Sequence, residues 1–310
     1  MNLSEETRKG FTISREMKEI WALQTNMAKY LLDVCERNGL RIWADGGTLL
    51  GAVRENGYIP WDDDMDFLML REDYDKLVAI SDLEFKNPYF FQYLGKEKDY
   101  IRGHAQIRYR GTAAIRYEDV WKSFNQGVFI DIFVYDTIPD SDSSEWKKTL
   151  ERADKIERVL ISSSFHNGRF FSPITYPRWI YSNCYILLKG KNNLMREYED
   201  LFRQYDVPGN KRIAPPCFNR KIFKTATKLK EWYRETVFFP FEDFQIPVPV
   251  DYDMVLRTQY GDNYMTPIKD PSYHGGFEVL DAHNDYTSYL KGLRRKRLLQ
   301  KLHIDGEYGG

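Results

Sequence analysis

Cysteine is scarce in this chain. Cys35, Cys184 and Cys217 are its only three, far apart and odd in number. There is no Cys-x-x-Cys and no Cys/His cluster, which argues against structural zinc and a disulfide framework and fits a reducing compartment. Long apolar runs are missing too. None approaches the ~20 residues of a membrane span. The opening "MNLSEETRKG" lacks the apolar stretch of a secretory signal, so the expected location is cytoplasmic. Net charge is almost absent: 45 Lys and Arg against 46 Asp and Glu leave −1. The molecule as a whole is no electrostatic partner for nucleic acid, and any anion binding must be local. No repeats or low-complexity segments occur.

What remains is a 310-residue chain, 15% aromatic, long enough for a sizeable core. Ser14 is placed to cap a helix with Met17, Ile20, Trp21, Met27, Leu31 and Val34 on its apolar side and Asn38-Gly39 at its end. "LRIWADGG" reads as a short strand, "TLLGAVREN" as a helix from Thr48, and "MDFLML", "AQIRYRG" and "GVFIDIFVYD" as strands. "DSSE", from Asp142, resembles a capping box ahead of another helix. Beyond Phe165 the pattern turns helical, with an extended piece at "FPFEDFQIPVPV" before a helix ended by Gly261. The expected class is α+β: a mixed sheet with flanking helices over residues 1–164, then a mostly helical part over 165–310, either separate or continuous with the first.

One stretch stands out. "GYIPWDDDMDF" packs Asp62, Asp63, Asp64 and Asp66 into an otherwise apolar segment. Like charges this close repel, and unpaired burial is costly. In an extended chain Asp62, Asp64 and Asp66 share a face, while Asp63 turns to the rim and Met65, Phe67 and Met69 turn to the core. Asp64 and Asp66 then sit roughly 7 Å apart at Cβ, so both can reach one hard cation. Mg²⁺ takes oxygen ligands and leaves positions for phosphates, and Mn²⁺ is an acceptable substitute. An EF-hand loop starting at Asp62 fails, because Phe67 and Asp73 occupy the positions that need Gly and Glu. The bland alternative is a solvated acidic turn.

Two neighbours weigh against that alternative. Gly46 and Gly47 permit close backbone approach, and Thr48 just after them would open a helix whose free N–H groups suit phosphate. Asp131 lies among Val128, Phe129, Ile130, Ile132 and Phe133 and needs a partner. That partner is an arginine such as Arg108 or Arg110, or the same cation; Asp131 could also take a proton from an incoming hydroxyl.

The combination resembles the nucleotidyltransferase superfamily. More closely, "WADGGTLLGAVRENGYIPWDDDMDF", "IRYRGTAAI" and "GVFIDIFVYDTIP" resemble the LicD family, phosphocholine transferases of bacterial surface glycans akin to the fukutin-related proteins. The resemblance is dense over Ile42 to Leu70, loose from Phe165 to Phe238, and weakly present again at "YGDNYMTPIKDPSYHG". It implies a CDP-linked donor, most often CDP-choline, with CMP leaving. It implies a glycan or lipid-linked glycan acceptor. Gly46, Gly47 and Thr48 would then cradle the diphosphate, Asp62, Asp64, Asp66 and Asp131 would surround the metal, and Arg54 and Arg108 would neutralise phosphate charge.

A choline head favours aromatic faces. Trp43, Trp61, Tyr117 and Trp121 lie near the motifs, Trp61 nearest; each also reads as core. His104 and His274 could serve in acid–base work or be structural. The basic stretch Lys211 to Lys230 could meet an anionic acceptor or be a solvated face. The tail "KGLRRKRLLQK" reads as a solvated helix face, with peripheral contact to the inner membrane surface as the alternative. Competing functions are a nucleotidyltransferase releasing pyrophosphate from a triphosphate, a glycosyltransferase using Asp-x-Asp, and an inactive nucleotide- or glycan-binding module.

Overall fold

The structure, a computed structural model, describes residues 1–140, 143–163, 175–216, 226–268 and 276–307. A hairpin of β1 (Glu6–Arg8) and β2 (Phe11–Ile13) leads into α1 (Arg15–Arg37). Ser14 caps α1: its hydroxyl accepts the Met17 N–H at 3.3 Å. The helix ends where Gly39 takes φ +63, a conformation open to glycine because it has no Cβ. Next come β3 (Trp43–Ala44), α2 (Gly46–Arg54), β4 (Asp66–Leu70), α3 (Arg71–Glu84), β5 (Tyr89–Gln92), β6 (His104–Tyr109), β7 (Ala113–Arg116) and β8 (Val128–Ile138). The rest of the chain adds α4 (Ser144–Ser163), α5 (Thr175–Lys189), α6 (Lys191–Arg203), β9 (Arg212–Ala214), β10 (Lys228–Leu229), β11 (Thr236–Phe241), β12 (Phe244–Pro249), α7 (Tyr252–Tyr260), β13 (Phe277–Asp281) and α8 (Thr287–Glu307).

The class is α+β, built on a seven-stranded mixed sheet. Its axis is the long strand β8. β4 runs parallel to β8, pairing Asp66 with Asp131 through Leu70 with Tyr135. β6 pairs antiparallel with the first half of β8, and β9 with its last three residues. β3, β5 and β10 extend the sheet outward. Side chains alternate along β8. Ile130, Ile132 and Val134 share one buried cluster with Met27, Leu31 and Val34 of α1. Asp131 and Tyr135 take the other face. A second cluster joins Trp146, Ile156 and Leu160 of α4 to Leu194 and Phe202 of α6.

The expected boundary at 164/165 lies outside the described residues. The late elements also reach back to the sheet: Phe241, Ile246 and Val248 of the β11–β12 hairpin share the main cluster with Trp43 and Phe67. Asp142 too lies outside the described residues; Ser143 caps α4 by accepting the Trp146 N–H at 3.1 Å. No described helix is long and apolar enough to cross a membrane. Part of the basic tail is docked rather than free. Arg294 donates to Val120 O at 2.9 Å, and Arg297 bonds Glu278 and covers the Tyr117 ring at 3.5 Å.

Candidate active site

The aspartate segment is held from behind by α1. The Trp21 indole N–H donates to Asp62 O at 2.9 Å, and the Gln24 amide donates to Asp63 O at 2.9 Å and Phe129 O at 3.3 Å. These bonds fix the peptide oxygens towards α1. Regular strand begins only at Asp66, so the expected alternation from Asp62 onward is not realised. Asp62, Asp63 and Asp64 instead gather as one carboxylate group, and Asp64, Asp66 and Asp131 as a second, each with one oxygen apiece within 4.8 Å of the others. Asp64 is common to both. Asp63, expected on the rim, joins the first.

The second trio carries the stronger electrostatic signature. Burial, then Asp66 and the other nearby carboxylates, pushes Asp64 well above the usual carboxylate range. Burial and Asp131 do the same to Asp66. Asp131 goes the opposite way. Burial would raise it, but the positive fields of His104 and Arg116 and the Gln106 hydrogen bond hold it down at about 2. Three carboxylate oxygens this close, all hard ligands, fit a Mg²⁺-sized cation.

The glycine pair has a geometric reason beyond the one expected. A Cβ on Gly46 would stand 2.9 Å from Asp66 Oδ2, and one on Gly47 would stand 2.6 Å from Asp62 Oδ2. Glycine here makes room for the carboxylates. α2 starts at Gly46, two residues before Thr48, with Asp45 as its cap residue. Its first backbone bond runs from Leu49 N–H to Asp45 O at 3.0 Å. The N–H groups of Gly46, Gly47 and Thr48 therefore have no partner within the helix. The Thr48 hydroxyl accepts the Asp66 N–H at 2.8 Å, so this side chain pins the strand that carries the trio.

Residues 39–160, which hold the carboxylates and Gly46, Gly47 and Thr48, match the family described as LicD/FKTN/FKRP, nucleotidyltransferase domain. The chain is 32% identical over 252 residues to the lipopolysaccharide cholinephosphotransferase LicD of Haemophilus influenzae, covering 78% of this chain and 89% of that protein. The chain belongs to the LicD family. Human ribitol 5-phosphate transferase FKRP is 48% identical over 46 residues, which is 15% of this chain and 9% of FKRP. An uncharacterized Rickettsia prowazekii protein is 30% identical over 141 residues, 45% of this chain and 48% of its own.

In this LicD-family chain, neither Arg108 nor Arg110 pairs with Asp131. Gln106 Nε2 donates to Asp131 Oδ1 at 2.6 Å, and Arg108 donates to Gln106 Oε1 behind it. The other Arg108 bonds go to Gln92 Oε1 at 3.0 Å and Gly127 O at 2.8 Å, and its guanidinium lies 4.4 Å from the Phe129 ring. With 2% exposure, Arg108 is buried behind Gln106 and does not itself bond Asp131. Arg54 is likewise engaged, with Glu55 at 2.7 Å and Tyr264 O at 3.1 Å. Trp61 packs edge-on against Phe11 at 6.2 Å. His274 and Cys217 lie outside the described residues.

Of the further groups around the trio, His104 was singled out from the sequence, while Arg116, Asp45 and Gln259 were not. The Arg116 side chain has no hydrogen bond or ion pair among the described residues. It sits 5.3 Å from the rings of Phe129 and Phe277, and its charge reaches Asp66 and Asp131. His104 Nε2 stands 3.3 Å from Asp131 Oδ1 without the alignment of a hydrogen bond. Asp45 is bonded by the buried Lys228 ammonium and, at 3.0 Å, by the Tyr135 hydroxyl. A cavity of about 610 Å³ opens beside these groups, lined among others by Asp45, Gly46, Asp66, His104 and Phe133. Gln259 also lines it, with Oε1 buried and unpartnered among the described residues. For Arg116 and Gln259 the sequence carried no signal of this placement.

Proposed function

We propose that this chain transfers a phospho-alcohol, foremost phosphocholine, from a CDP-linked donor to a hydroxyl of a cell-surface glycan or lipid-linked glycan precursor, releasing CMP. The observation that carries the reading is the Asp64, Asp66 and Asp131 trio, oxygens within 4.8 Å, beside the open N-terminus of α2. The 32% identity to a cholinephosphotransferase supports the choice of chemistry.

In this reading Asp64, Asp66 and Asp131 hold Mg²⁺, or Mn²⁺ in its place, which supplies charge stabilisation for the diphosphate and the departing CMP. The N–H groups of Gly46, Gly47 and Thr48 face the same phosphates. Arg116 takes the neutralising role that Arg54 and Arg108 were expected to fill. Asp131, held against burial below the usual carboxylate range by His104, Arg116 and the Gln106 hydrogen bond, is ionised at neutral pH, as a metal ligand must be. The acceptor oxygen bonds to the choline-bearing phosphorus as the bond to the bridging oxygen breaks; CMP leaves with that oxygen, and the acceptor proton is released to solvent.

The test is a donor screen with Mg²⁺: CDP-choline, CDP-ribitol, CDP-glycerol and CTP, followed by thermal shift and by release of CMP or pyrophosphate. Stabilisation by a CDP-alcohol with CMP appearing supports the transferase. A response to CTP alone, with pyrophosphate released, replaces it with the nucleotidyltransferase reading.

A further inference from the structure

Glu157 on α4 lines the cavity beside the trio, half-buried. No hydrogen bond or ion pair reaches it among the described residues. The charged and polar groups around it, among the described residues, are engaged elsewhere or weakly placed. On its own helix, Asp154 repels it and Arg158 offers a weak attraction. Arg102, on the same wall, is tied to Asp119 at 2.5 Å. Tyr198 donates its hydroxyl to Pro216 O at 2.5 Å, and His104 lies against Asp131. Leu94, Ile101 and Leu160 line a smaller adjoining space that Glu157 also borders, and Pro215, Pro216 and Ala226 add apolar wall to the cavity itself. A carboxylate in such a place is costly in the empty protein, and burial pushes its carboxyl up to about 8.

The chemistry that suits this pocket is a cation that donates no hydrogen bonds. A quaternary ammonium fits: its charge is spread over methyl groups that need apolar walls, an aromatic face and one counter-charge. Phe133 supplies a ring on the same cavity. A polyol head carries no positive charge for the Glu157 carboxylate to balance. Asp66 and Gly46 line the cavity too, so a head group near Glu157 is joined to phosphates at the trio.

We propose that this cavity is the subsite for the quaternary ammonium of the donor, with Glu157 as its counter-charge and Phe133 as its ring wall. The assignment rests on the donor reading above and makes the choice of alcohol a property of α4.

The experiment measures calorimetric binding of CDP-choline, CDP-glycerol and CMP, each with Mg²⁺ at pH 8, to the wild type, Glu157→Gln and Glu157→Asp. The expected result is a roughly tenfold loss for CDP-choline in Glu157→Gln, with CDP-glycerol and CMP unchanged. Glu157→Asp, which keeps the charge, should retain part of the preference. Unchanged CDP-choline binding in Glu157→Gln overturns the subsite. Equal weakening of all three ligands also overturns it, because Glu157 would then read the cytosine. A wild type that binds none of the three with Mg²⁺ overturns the donor reading itself, and the subsite with it.

Discussion

Asp66 on β4 and Asp131 on β8 are register partners across a parallel strand pair. Side chains of parallel partners project to the same face, so the backbone ladder itself forces two carboxylates together. Asp64, just before the strand, completes the trio. Replacing Asp66 by Asn is expected to lower turnover by at least ~100-fold, since metal clamps of this kind contribute several kcal/mol. The same change removes repulsion from the metal-free protein. Its melting temperature without Mg²⁺ should therefore hold or rise, while the Mg²⁺-induced shift disappears. Near-normal turnover in Asp66→Asn would rule out a catalytic metal site there.

Gly46→Ala tests the same site through the backbone. The added Cβ would come to 2.9 Å from Asp66 Oδ2, at a residue with φ +53. The strain costs about 1–2 kcal/mol, a modest loss in a folded protein. The carboxylate must also move, and Mg²⁺ affinity should fall accordingly. Manganese titration followed by electron paramagnetic resonance reads this directly. Unaltered Mn²⁺ binding would mean that Asp66 is not a ligand.

Arg108 separates two roles by kinetics. Its bond to Gln106 Oε1 orients that amide so that Nε2 faces Asp131. In Arg108→Met the amide loses its orientation and can present oxygen to the carboxylate. The expected outcome is a lower kcat with an almost unchanged donor KM. A raised donor KM at constant kcat would instead mark Arg108 as a phosphate ligand.

The difference between these roles was not legible in the sequence. The Asp64, Asp66 and Asp131 pattern was, because carboxylates set into otherwise apolar segments invite an explanation. The Ser14 cap and four of the eight strands before residue 140, namely β3, β4, β6 and β8, were also readable from local rules. Strand pairing was not: that Arg108 points to Gln106, and Gln106 to Asp131, depends on β6 lying antiparallel to β8 in one register. Arg116 reaches the trio only through tertiary packing. The Lys228 contact with Asp45 spans 183 residues, and in the sequence Lys228 is one more charge in a basic stretch.

That contact carries a stability prediction. The Lys228 side chain has 0% exposure and Asp45 has 7%. Removing one partner of a buried pair leaves an uncompensated charge, so Lys228→Met is expected to cost about 3–5 kcal/mol. The double variant Lys228→Met with Asp45→Asn should recover much of that loss. Urea unfolding of the four proteins gives the cycle. Additive losses would mean that the two groups do not interact.

Glu157 makes a prediction with a definite sign in pH. Its folded carboxyl titrates at about 8 against an ordinary 4.5. Between those values the folded protein holds a proton that the unfolded chain has released. The folded state therefore binds more protons, and stability falls as pH rises from about 4.5 to 8, levelling off above. A glutamine side chain in this place cannot ionise. Glu157→Gln should thus melt with the wild type near pH 4 and above it at pH 8, the gap opening through the interval. A variant that gains stability at pH 8 while losing CDP-choline separates folding from recognition, since damage to the fold would lower both. A variant less stable than the wild type at pH 8 would show that Glu157 has a native partner, and the case for an ammonium filling that place would be lost.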